Sequence, residues 1–163
     1  MLMPSPPPAP PLPPLLAQQL PAMPRPDQMR PPGLVLLQER QGREGLEAIG
    51  VYGASPDRLQ SDLWSVKVWL ERPNNVQVRS DAIRCGSTAP MRITTDGRQT
   101  YLRALNPGGA ITPSNRVDHL IWWAVCHPAQ AGRDPAGLGG VARQLGYSGQ
   151  LVEREEVVVA GGR

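Results

Sequence analysis

Phenylalanine is absent from this chain, lysine occurs only at Lys67, and no long uninterrupted apolar run is present. Each scarcity excludes something. Without Phe, and with aromatics at only 4% of 163 residues, a core has to be built from Leu, Ile, Val and Ala around four Trp and three Tyr. Such a core is thin, and a cross-link or a partner would strengthen it. Sixteen of the seventeen basic residues are arginines, scattered from Arg25 to Arg163 among fourteen acids, for a net charge of +3. That dispersion gives no basic stripe of the kind a nucleic-acid backbone requires. No apolar run reaches the ~18 residues that a spanning helix needs, so no transmembrane segment is expected. Paired-cysteine knuckles and glycine-rich phosphate loops are missing as well.

Proline is what the chain has in excess. Thirteen of its twenty prolines lie in residues 1–32. Repeated proline blocks helix and removes sheet donors, so this segment reads as a disordered, partly polyproline II arm or linker. The stretch PPLPP at residues 10–14 has the composition of ligands for aromatic-lined grooves. Residues 12–17 (LPPLLA) look like the end of a targeting segment. That reading places the protein in an exported, periplasmic or lumenal compartment, where disulfides persist. Residues 33–163 are then one small domain.

That domain is organised around residues 65–85, SVKVWLERPNNVQVRSDAIRC. Val66, Val68 and Leu70 alternate with Lys67, Trp69 and Glu71. After Pro73-Asn74-Asn75 the alternation resumes, which predicts a half-buried antiparallel hairpin. Trp69 falls on the polar face, either covering a second small cluster or standing as a contact anchor. Short strands are expected at residues 34–37 and 46–52. Ser55-Pro56 resembles a helix cap with proline in the first helical position, predicting a short helix over residues 56–63, although Leu59, Ser61 and Leu63 also alternate. In residues 91–105, Asp96-Gly97 predicts a two-residue turn with Thr95 facing Arg98. Met91, Ile93, Thr100, Leu102 and Ala104 then share one face. Arg92, Tyr101 and Arg103 share the other, as a solvated face or a recognition surface.

Residues 115–127, NRVDHLIWWAVCH, form the best helix. Asn115 with Asp118 suggests an imperfect capping box, Pro128 ends the segment, and apolar residues occupy most of its girth. A helical turn at residues 141–145 follows, and residues 151–160 read either as a final strand or as an exposed, flexible tail. The expected fold class is α+β: a small antiparallel sheet of four to six strands covered by one main helix, preceded by the proline-rich arm.

Chemistry is harder to find. Cys126 and His127 diverge by ~100° on a helix, and His119 lies ~10.5 Å from Cys126 along it, too far for a nucleophile–base pair. His119 and His127 are eight apart, unlike ligands on one helix face, so no metal site and no cofactor is expected. Cys85 and Cys126 would instead make a disulfide closing a loop of roughly 40 residues, worth roughly 3.5–4 kcal/mol, the alternative being two reduced cysteines packed separately in the core. The reading that follows is a non-catalytic binding or assembly protein, an exported accessory subunit whose partner is another protein or a second copy. Trp69, Tyr101, Arg92 and Arg103 are its candidate interaction residues. The alternatives are a small hydrolase using a His/acidic pair, and an Arg-rich nucleic-acid module using Arg79, Arg92 and Arg103 with Tyr101.

Overall fold

A computed structural model describes residues 2–10 and 24–159. The expected groove ligand at residues 10–14 falls almost wholly outside these, as do the targeting remnant at residues 12–17 and the last four residues.

Seven strands, rather than four to six, form one antiparallel sheet in chain order: β1 (Val35–Gln41), β2 (Leu46–Pro56), β3 (Leu63–Arg72), β4 (Asn75–Arg84), β5 (Met91–Thr95), β6 (Gln99–Ala104) and β7 (Arg154–Val159). One main helix, α1 (Arg116–Cys126), lies on one face. A short α2 (Gly139–Gln144) follows it, with 3₁₀ turns at Pro128–Gln130 and Pro135–Gly137. The α+β class is therefore observed, with sheet predominating.

The central hairpin is β3–β4, closed where Arg72 faces Asn75. Val66, Val68 and Ile83 turn toward α1 and are buried, as period-two alternation requires. Eight consecutive helix residues, Asp118 through Val125, are buried. Leu120 through Val125 pack with Leu37, Val51, Leu105, Leu138 and Tyr147 into a single core. At the C-terminal end of the helix, Trp122 and Tyr147 meet edge to face at 5.1 Å, and Trp122 Nε1 donates to the Arg84 carbonyl at 3.0 Å. Cys85, just after β4, and Cys126, the last residue of α1, are bonded at 2.06 Å, with Cα atoms 5.4 Å apart. The cross-link ties sheet to helix at the aromatic end of the core.

Four local expectations are corrected. Residues 56–63 are not helical: Ser55 faces Ser65 and Pro56 faces Trp64, so β2 runs on into a hairpin with β3. Asp57 Oδ1 accepts the backbone N–H groups of Leu59 and Gln60, which shapes a loop with the chemistry that would otherwise cap a helix. The β5–β6 turn is displaced, with Thr95 facing Thr100 and Gly97 rather than Asp96 entering the turn's first central position at φ +91°. Glycine takes the positive φ at no steric cost, and Asp96 Oδ1 holds the N–H groups of Arg98 and Gln99. A two-residue shift in register preserves the faces, so Arg92, Tyr101 and Arg103 still share one. That face looks toward α1 rather than to solvent. The helix start also differs: Asn115 makes no side-chain cap, its Oδ1 accepting the Thr112 N–H and its Nδ2 donating to Glu153 at 2.7 Å.

Candidate functional site

An open antiparallel sheet has two edges, and the two differ here. β1 carries Gln38, Glu39 and Arg40 and is interrupted by a bulge between Leu36 and Gln38. Charge and bulging both discourage pairing with another chain. β7 has neither protection along its second half. All six of its residues are exposed, and Val157, Val158 and Val159 retain 48%, 51% and 56% of their surface. The strand pairs with β6 from Gln99–Val159 to Ala104–Arg154, and no strand among the described residues pairs with its other side. Valine on both faces of an unpaired strand is the composition of a strand buried on both sides. Beside it, on the face away from α1, Met91, Leu102, Ala104, Leu151 and Val152 line an open groove of about 410 Å³ rimmed by Arg154 and Glu156. Ladder hydrogen bonds from β7 and a side-chain pocket in this groove are the two parts of β-strand addition.

The sequence-derived interaction residues are placed as follows. Trp69 is not an exposed anchor: it is 5% exposed and meets Tyr52 edge to face at 6.5 Å. Its indole N–H donates to Glu71 Oε1 at 2.9 Å, and Arg30 clasps the same carboxylate with two bonds of 2.9 and 2.7 Å. The arm is thus fastened to the sheet near its C-terminal end, next to a 3₁₀ turn at Pro26–Gln28. The hydrogen bond from Arg30 outweighs burial and holds the Glu71 carboxyl below the ordinary carboxylate range. Arg92 is not on a solvated surface either. Its Nε donates to Asp81 at 2.9 Å and its Nη1 to Asp118 at 2.7 Å, so Asp118 serves an ion pair instead of a capping box. Arg103 bonds Glu155 of β7 and Thr94, and its guanidinium lies 5.4 Å from the Tyr101 ring centre. Tyr101 donates within its own hairpin, to Gln99 at 2.7 Å. The structure brings Arg92, Arg103 and Tyr101 into one neighbourhood and leaves Trp69 apart. The β7 edge was missed as an interaction site, although its three consecutive valines were visible in the sequence.

Both histidines have polar partners. His119 Nε2 lies 2.7 Å from Glu153 Oε2, which is the distance of a general-base pair. His119 is 0% exposed, however, and no substrate reaches it while α1 stays on the sheet. Glu153 also accepts from the Asn106 backbone and from Asn115. Burial pushes the Glu153 carboxyl up, and the three hydrogen bonds together bring it below its usual range. The pair fastens the lead-in to β7 onto α1. At the other helix end, Tyr147 Oη lies 2.7 Å from the Cys85 carbonyl and 2.9 Å from His127 Nε2. A carbonyl only accepts, so the tyrosine gives its proton there and His127 donates from Nε2. Burial lowers the proton affinity of that imidazole.

With Cys85 and Cys126 joined, neither offers a thiol. Among the described residues, no three His, Cys, Asp or Glu side chains gather closely enough to hold a metal ion, and no helix is long and apolar enough to cross a membrane. The chain matches no family model, no curated protein and no solved structure.

Proposed function

We propose that this protein is a non-catalytic binding or assembly module that acts by strand addition at β7. The observation that carries the reading is the three-valine edge, exposed on both faces and, among the described residues, unpaired along its outer side. The occupant that its own sequence fits is a second copy of the chain. In an antiparallel pair centred on Val157, Glu155 faces Val159 and Glu156 faces Val158. Each acidic half therefore lies against the partner's valines, not against its acids, which avoids like-charge pairs. The two sheets would continue as one across a two-fold axis, as a self-complementary patch allows. An exported setting is part of the same proposal, supported by the disulfide and its usual redox compartment.

Light scattering coupled to size exclusion, over micromolar to sub-millimolar concentration, tests this. The expected result is a monomer–dimer equilibrium that Val158→Lys abolishes, because an edge lysine resists pairing. Val158 is half exposed, so the variant's thermal midpoint should stay close to that of the parent. A parent chain that remains monomeric throughout the range would refute self-pairing. A dimer that Val158→Lys leaves intact would move the interface away from β7.

A further inference from the structure

Arg79, Arg92 and Arg103 converge on one polar pocket of about 230 Å³ at the N-terminal end of α1, completed by Thr94, Ser114 and Asp118. We propose that this pocket binds the phosphoryl group of a small phosphate monoester. The proposal does not depend on β7 pairing, and it rests on which donors remain unclaimed.

Arg79 projects from β4 on the α1 side, opposite Val68, and its guanidinium makes no hydrogen bond or ion pair with any described residue. Arg92 spends Nε and Nη1 on Asp81 and Asp118 and keeps Nη2. Arg103 spends Nε on Glu155 and Nη1 on Thr94, and likewise keeps Nη2. Thr94 Oγ1 accepts from Arg103, which leaves its own proton to donate. Three guanidinium groups with unused edges and a free hydroxyl thus face one small volume. Helix α1 adds its positive end there, with no side-chain cap.

Donor count decides between ligands. Inside the network, Asp81 and Asp118 offset two of the three arginines, so one positive charge is in excess. The third carboxylate, Glu155, is half exposed on the rim, and its 3.3 Å bond to Arg103 is easily exchanged. Glu155 already supplies what a monoanionic carboxylate ligand would bring. A phosphate monoester brings three terminal oxygens, enough to engage Arg79, Arg103 and Thr94 together. Arg92, locked between two aspartates, keeps the pocket's shape.

Titration calorimetry on the full chain with inorganic phosphate and with glycerol phosphate, against chloride at matched ionic strength, tests the site. Saturable binding of one phosphate or one monoester per chain is expected. Arg79→Gln should weaken it about 10-fold or more, the loss of one charge-assisted hydrogen bond. Glu155→Gln should tighten it, because the internal competitor has lost its charge. Neither change touches the core, and thermal midpoints verify the fold. Equal heats with chloride would reduce the effect to screening and sink the proposal. So would phosphate affinities unchanged in both variants. Binding of inorganic phosphate without the monoester would refute the ligand class. Displacement of phosphate by an RNA oligonucleotide with a steep salt slope would replace the pocket by a nucleic-acid surface.

Discussion

Glu71 illustrates how one residue's role depends on a partner far away in the chain. Alternation places it on the face of the sheet away from α1, next to Trp69, where an acid is unremarkable. It is nevertheless 6% exposed, because Arg30, 41 residues earlier, folds over it with a two-pronged ion pair. Nothing in the spacing announces that contact, since the arm reads as proline-rich and unstructured through residue 32. Removing Arg30 leaves a buried carboxylate with the indole N–H of Trp69 as its remaining partner. Arg30→Ala is therefore expected to destabilise the domain by about 1–3 kcal/mol in urea unfolding at neutral pH. Glu71→Gln should cost less, because an amide is cheaper to bury than a charge. A double-mutant cycle with a coupling energy near zero would show that the clasp is incidental.

At the scale of elements, helix α1 is held at both ends, and the two ends differ in how far the sequence discloses them. Its C-terminal end was legible: Cys126 closes an apolar helix, Cys85 closes the central hairpin, and a thin core favours a bond between them. Its N-terminal end was not. Asn115 and Asp118 have the spacing of a capping box, yet each is claimed by a tertiary partner, Glu153 and Arg92 respectively. The same limit explains the missing helix at residues 56–63. Asp57 holds two backbone N–H groups in a loop much as a capping residue would in a helix, and only the pairing of Ser55 with Ser65 decides between them. Strand faces survived a turn misplaced by one residue, because this shifts the pairing register by two and side chains alternate with period two. The burial of Arg92 did not follow from alternation, which assigns faces but does not say which face the helix covers. For the disulfide, native protein should show no alkylated thiol in intact-mass analysis until reduced. Reduction should then cost about 4 kcal/mol, the loop-entropy estimate for a separation of 41 residues. Two thiols alkylated without reductant would remove both the staple and the support it gives to an exported setting.

Across the whole molecule, besides the exposed Asp96 and Asp134, three groups with weakened proton affinity lie in separate places: Glu71 on the outer face, Glu153 at the start of α1 and His127 beside the disulfide. Each binds protons less readily in the folded chain than in the unfolded one. The unfolded state therefore takes up more protons on acidification, and stability falls as pH falls through each window. The windows are staggered. That of His127 opens at the ordinary imidazole value of 6.5 and extends downward, whereas those of the two glutamates open at 4.5. Stability should accordingly be level from neutrality up to the ordinary tyrosine value of 10.0, decline gently below pH 6.5 and fall more steeply below 4.5. Chemical denaturation at a series of pH values gives this curve directly. His127→Gln retains an N–H to donate to Tyr147 and has no proton to gain. It should flatten the decline between 6.5 and the carboxylate range and leave the lower drop in place. A parent curve already flat in that interval would mean that His127 titrates alike in both states. The Tyr147–His127 contact would then carry no pH dependence, and acid sensitivity would rest on the carboxylates at the arm clasp and at the start of the helix.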